Sequence, residues 1–165
     1  HPNWGSSGIQ VVDLDKDGDL DVLLTHGDTF DDGLVKPYHG IQWLENRGGL
    51  RFEPHWLTAL AGAHRAVAAD LDGDGDLDIA ASAFVGAAGS GADHLPSLVW
   101  LEQVKRGRFE RHVIAVGRPR RPTLDVGDVD GDGDLDLVTG LFLLQGREQT
   151  WLEVWENLRR SPARP

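Results

Sequence analysis

The chain contains no cysteine and no methionine. Without cysteine there can be no disulfide, thiolate zinc site, iron–sulfur cluster or haem attached through a Cys-x-x-Cys-His motif. The compartment stays open on that count. The missing methionine includes the initiator, so the expectation is a mature or excised piece of a longer product. No signal peptide is visible, and no apolar run approaches the ~18 residues of a membrane span. No Gly-x-Ser-x-Gly, phosphate loop or His-Glu-x-x-His is present, so the sequence reads as non-enzymatic. Positive charge is also short: the formal net charge is -11, which argues against nucleic acid as a partner.

What is present is globular. The 165 residues, 40% hydrophobic with six tryptophans, suffice for one domain with a core. Much of the acidity sits in three nine-residue stretches. They run from Asp13 to Asp21, Asp70 to Asp78 and Asp128 to Asp136, and each carries an aspartate at every second position. Five carboxylates around a glycine that permits a sharp turn repel one another unless a cation lies between them. A hard ion with oxygen ligands, above all Ca²⁺, suits them. About three Ca²⁺ ions, one per stretch, would cancel about half of the formal charge.

The stretches start at residues 13, 70 and 128, in steps of 57 and 58. Trp43-Leu44-Glu45-Asn46 returns as Trp100-Leu101-Glu102-Gln103, and Phe52-x-x-His55 returns as Phe109-x-x-His112, in the same register. Internal repeats of this length indicate a solenoid, propeller or array. The units span approximately 8–57, 65–114 and 122–158, with 159–165 as a flexible tail of one domain, 1–165.

Within each unit, two short apolar segments flank the acidic loop and read as strands buried on both faces. In the first unit these are Gly8 to Val12 and Val22 to Thr25. After a long connection, Ile41 to Glu45 and Leu50 to Leu57 make two more strands around the turn 46–49. The small residues of Ile79 to Phe84 imply a position where neighbouring sheets converge. The third unit lacks its fourth strand, and its Trp155 falls one place later than Trp43 and Trp100 when Asn157 is aligned with Asn46. A period of two puts that ring on the opposite face. The expected fold class is therefore all-β: about three four-stranded antiparallel β-propeller blades, the last incomplete. A propeller ring typically needs about four to eight blades, so the segment is either open or closed by oligomerisation. A dimer closing a six-bladed ring is the simplest closure, and further blades in a longer parent chain are the alternative.

In each loop the side chains at positions one, three, five and nine are the expected ligands: Asp13, Asp15, Asp17 and Asp21; Asp70, Asp72, Asp74 and Asp78; Asp128, Asp130, Asp132 and Asp136. Asp19, Asp76 and Asp134 would contribute backbone carbonyls. Mg²⁺ suits the loops less, because it keeps waters and strict octahedral geometry. An EF-hand fails here, since position twelve is Leu24, Ala81 or Thr139 and strands, not helices, flank the loop.

The strand–DxDxDGDxD–strand unit, followed by Trp-Leu-Glu-Asn and Phe-x-x-His, resembles the FG-GAP/VCBS repeats that build the integrin α-chain propeller and many secreted bacterial propellers. The resemblance implies a Ca²⁺ ion between a blade's first two strands. It also implies an extracellular or periplasmic setting, and a scaffold or protein-interaction role within a larger protein. Related propellers commonly have seven blades, more than this chain supplies.

A carbohydrate-binding propeller is the alternative, and a polysaccharide-active enzyme frame is a more distant one. The connection 26–40 is the candidate ligand face, with His26, Asp28, Asp31, Asp32, Tyr38 and His39, opposite the acidic loops. Its competing explanation is a surface loop whose polar groups cap the blades. The recurring His55 and His112 are expected to pack and hydrogen-bond. Lys105, Arg106, Arg108, Arg111, Arg118, Arg120 and Arg121 are expected to form a solvated basic edge.

Overall fold

The computed structural model describes residues 5–29, 33–86, 92–117, 119–142 and 150–158. It is all-β, apart from one 3-10 turn at Ala92–His94. Three antiparallel sheets follow one another along the chain. The first contains β1 (Ser6–Val12), β2 (Asp21–His26), β3 (Gly40–Asn46) and β4 (Phe52–Ala59) in sequential order. The second contains β5 (Ala63–Ala69), β6 (Asp78–Ala83), β7 (Pro96–Lys105) and β8 (Arg108–Val116), again in sequential order. The third contains β9 (Thr123–Gly127), β10 (Asp136–Gly140) and β11 (Leu152–Trp155). No fourth strand is present in it among the described residues. Up-and-down sheets stacked face to face, without a closed barrel, are open propeller blades.

Each acidic stretch links the first two strands of its sheet, so all three loops lie at one end of the stack. The connection 27–39 between β2 and β3 leaves from the other end. Two apolar cores glue the blades together. The first is built from Leu14, Leu23, Ile41, Trp43, Ile79, Ala81, Val99 and their neighbours, between sheets one and two. The second joins Val67, Leu71, Ala80 and Leu98 to Leu124 and Leu137 of the third sheet. All six residues of β6 are buried. It is the second strand of the middle sheet, covered on both faces, and its alanines let the flanking sheets approach.

Trp155 sits on the face that its offset predicts. Trp43 pairs with Leu23 and Trp100 with Ala80, each two residues after its loop's last aspartate, whereas Trp155 pairs with Leu137, one residue after Asp136. Its ring accordingly packs back against the core shared with sheet two. The histidines also do what their recurrence predicts. His55 lies 4.7 Å from the Trp43 ring and His112 4.7 Å from the Trp100 ring. Their Nε2 atoms lie 2.7 Å from Glu45 and 2.7 Å from Glu102 respectively.

Three expectations need correction. The strand entering the first loop is not buried on both faces: Ile9 and Val11 are each 60% exposed. Their counterparts in β5 are covered by sheet one, and no sheet described here precedes β1. Leu50 is not in a strand but in the turn, at φ 58°, and β4 begins at Phe52. Nor are the arginines simply a solvated edge. Arg121 is buried, bonding Ser97 Oγ at 2.8 Å and Glu153 at 2.7 Å, with its guanidinium 5.3 Å from the Trp155 ring centre. Arg111 donates to the Ala59 carbonyl at 3.0 Å.

Close approach of blades one and two depends on Gly27. A Cβ there would lie 2.1 Å from the Ala63 carbonyl oxygen and 2.3 Å from the Ala63 nitrogen. Backbone cannot yield as a side chain does, so Gly27→Ala is expected to cost about 1–3 kcal/mol or more. The urea midpoint measures this loss; an unchanged midpoint would show that the blades can separate at this seam without penalty.

Candidate metal centres

The three loops share one geometry, written by their own carboxylates. At position three, Asp15, Asp72 and Asp130 each accept the N–H of the residue two places on, at 3.2, 3.0 and 3.1 Å. At position five, Asp17, Asp74 and Asp132 do the same at 2.9, 2.8 and 3.1 Å. These are Asx turns, in which aspartate replaces a backbone acceptor and bends the chain. Position one closes the ring by accepting the N–H of the position-six glycine: Gly18 at 3.0 Å, Gly75 at 3.2 Å and Gly133 at 3.2 Å. Those glycines have φ of 97°, 101° and 98°. Only a residue without Cβ takes that backbone cheaply.

The side chains thereby converge. Asp13, Asp15 and Asp17 offer oxygens within 4.8 Å of one another, as do Asp70, Asp72 and Asp74. In the third loop the convergent set is Asp128, Asp130 and Asp136. The donor set is all oxygen, which fits a hard divalent cation. One more observation favours that fit: Asp70 Oδ1 is buried and meets no hydrogen-bond donor. An acceptor in that state is costly unless something positive sits opposite it. In the third loop Asp134 is buried and neither of its carboxylate oxygens meets a donor.

Electrostatics point the same way. Burial holds the Asp72 carboxyl above its usual range, with the charges of Asp74 and Asp70 pushing in the same direction. Burial likewise raises Asp134, with Asp132, Asp136 and Asp130 adding to it. These groups carry negative charge that the protein alone does not fully compensate, and a bound cation would reverse the balance.

Position nine has a second task. Asp21, Asp78 and Asp136 are almost fully buried. One oxygen of each accepts the N–H of the loop's second residue: Leu14 at 3.1 Å, Leu71 at 3.2 Å and Val129 at 3.0 Å. The other accepts the N–H of Asn46 at 2.8 Å, Gln103 at 2.8 Å or Asn157 at 2.9 Å. The carboxylate thus ties the loop to the third strand of its own blade. Further lone pairs remain for a metal. Burial pushes Asp78 up against those bonds, whereas at Asp136 the Asn157 and Val129 N–H groups prevail and pull the carboxyl down.

Sequence reasoning passed over the residues at the end of the Trp-Leu-Glu-Asn element. The Gln103 amide donates to the Leu77 carbonyl of its own loop at 2.8 Å and reaches Leu14 of the preceding loop at 3.4 Å. Asn157 repeats this on Leu135 at 3.2 Å and Leu71 at 2.9 Å. Each amide therefore holds its own loop and the one before it. The signal was available: a side-chain amide recurs at positions 46, 103 and 157, in register with the loops.

The connection opposite the loops is mixed: Leu34 and Val35 are exposed, while its two histidines turn inward. His26 is buried, with Nε2 3.0 Å from the Gln42 amide oxygen. His39 is buried and its Nδ1 accepts the Gly62 N–H at 3.2 Å. Tyr38 lies edge-on to the His39 ring at 5.7 Å, and Asp28 is half-buried. Asp31 and Asp32 lie outside the described residues, as do Arg118 and the tail 159–165. His26 and His39 are thus both buried, and each makes a hydrogen bond within the fold.

The fold and the loops together define a protein of propeller-type blades, each with an acidic loop between its first and second strands. More particularly, residues 26–81 match the model of the FG-GAP-like repeat. This stretch runs from the end of β2 into β6 and contains the second acidic loop. FG-GAP repeats are a non-enzymatic repeat family. A comparison with curated proteins gave no match. Among the described residues no helix is long and apolar enough to cross a membrane.

Proposed function

We propose that this chain is a Ca²⁺-stabilised propeller segment serving as an interaction scaffold in an extracellular or periplasmic setting. The observation that carries the reading is the threefold convergence of aspartate oxygens on a common loop frame, within 4.8 Å in each loop. Side chains at positions one, three and five hold the ion in the first two loops, and those at positions one, three and nine in the third. Oxygen-only sites of this kind stay filled where Ca²⁺ is plentiful, which favours that setting. Protein surfaces are favoured as partners over sugars, because His26 and His39 are spent on packing. The uncovered faces of the end blades, with Ile9 and Val11 on one and Leu152 and Val154 on the other, suit a further blade. That blade comes from a second copy of the chain or from a longer parent.

Calorimetric titration tests the metal assignment. Ca²⁺ is expected to bind with dissociation constants on the order of micromolar to millimolar, and more tightly than Mg²⁺. Absence of any binding at several millimolar Ca²⁺ would remove it.

A further inference from the structure

The three loops are not equivalent, because one already holds a cation supplied by the protein. Arg106, in the turn between β7 and β8 of blade two, reaches across the seam into the first loop of blade one. Its Nη2 lies 3.0 Å and its Nε 3.2 Å from Asp15 Oδ2, and Nη2 lies 3.6 Å from Asp17 Oδ2. The Asp15 side chain is 3% exposed and the Arg106 side chain 59% exposed. The carboxylate is thus fixed in the protein, while the guanidinium rests on it from the solvent side.

The same loop carries Lys16 at position four, where the others have Gly73 and Gly131. Lys16 adopts φ 58°, a left-handed backbone unusual for a side-chain-bearing residue. Its ammonium donates to the Gly75 carbonyl of the second loop. Both oxygens of Asp13 accept backbone N–H groups, from Asp17 at 3.0 Å and Gly18 at 3.0 Å. In the second loop, by contrast, the matching Asp70 keeps one buried oxygen without a donor.

We infer that Arg106 is a resident competitor for the first loop, so that Ca²⁺ enters there only by displacing it. The inference rests on the calcium reading of the loops. Asp15 and Asp17 supply the oxygens that would coordinate the ion, and Arg106 occupies one of them. A guanidinium and a divalent ion on the same Asp15 Oδ2 repel each other at that short range. The first loop is therefore the weakest of the three calcium sites. Filling it releases a tie between blades one and two, so that Ca²⁺ concentration sets whether Arg106 spans the seam. Three residues beyond Gln103 stands Arg106; the matching position in the first unit is Gly49. The matching position in the third unit, Arg160, lies outside the described residues.

The test is a Ca²⁺ titration of the whole chain, wild type against Arg106→Gln, with Arg108→Gln as a control for loss of charge alone. Folding of each is checked by circular dichroism. In the wild type, one class of site is expected to be weaker than the rest. Arg106→Gln should tighten that class by at least about threefold, the scale of losing a partly exposed ion pair. Arg108→Gln should leave it unchanged. In a ¹H–¹⁵N NMR titration, the Arg106 Nε–H resonance should move only as the weak class fills. If Ca²⁺ binds but the weakest class is the same in Arg106→Gln, the competitor is overturned and the calcium reading stands. If neither protein binds Ca²⁺, both fall together. An equal gain in Arg108→Gln would reduce the effect to net charge and overturn the specific role of Arg106.

Discussion

Excess EDTA is expected to lower the melting temperature by on the order of 10–20 °C relative to the protein in millimolar Ca²⁺. A ligand that binds only the folded form adds about 2.7 kcal/mol per site when present at a hundred times its dissociation constant. Two tight loops therefore contribute about 5 kcal/mol, and a weaker first loop adds less. For a chain of this length each kcal/mol moves the midpoint by about 2–4 °C. The physical source is visible in the loops. Without an ion, Asp72 sits in partial burial beside Asp70 and Asp74, and Asp134 beside Asp132 and Asp136. That repulsion is relieved either by unfolding or by a cation. Scanning calorimetry with EDTA, and again after Ca²⁺ is restored, reads the effect. Coincident melting curves would mean that the loops are stable aspartate turns in their own right.

Asp78→Ala is expected to destabilise the protein by about 2–5 kcal/mol even in EDTA, when coordination plays no part. Asp78 is 1% exposed and accepts two backbone N–H groups, Leu71 at 3.2 Å and Gln103 at 2.8 Å. Leu71 and Gln103 are themselves buried. Removing the carboxylate leaves two donors out of reach of water, at about 1–3 kcal/mol each. Asp78→Asn keeps one acceptor oxygen and is expected to lose about half as much. Urea denaturation in EDTA separates this clamp from metal binding. A loss below about 0.5 kcal/mol, the level of an ordinary surface change, would assign position nine to the metal alone.

Asp78 also shows what was legible and what was not. Its place at the end of a nine-residue acidic repeat was plain, and it was read as a ligand. That it joins two elements 25 residues apart, Asp78 and Gln103, depends on the third strand returning alongside the second. The residues of Trp-Leu-Glu-Asn were visible as a repeat, but the work of the last amide needs the neighbouring blade to be in place. Trp155 is the opposite case. A shift of one residue in a period-two strand changes the face with no further information, and its ring is where that shift puts it. The connection 26–40 left a ligand face and a capping loop both open, because a loop's sequence does not reveal which of its side chains turn inward; His26 and His39 do.

The sequence by itself determined the all-β class, the repeat and the position of each acidic loop between two strands. All of these follow from local periodicity and turn chemistry recurring in steps of 57 and 58 residues. The tertiary structure decided how the blades treat one another. It showed that one face of β1 is bare while β5 and β6 are covered, that Gly27 lies against Ala63, and that Arg106 of blade two sits on Asp15 of blade one. Asp15 and Arg106 stand 91 residues apart in the chain. No local pattern encodes such a contact; it exists because packing two apolar sheet faces brings a turn of one blade over a loop of the next.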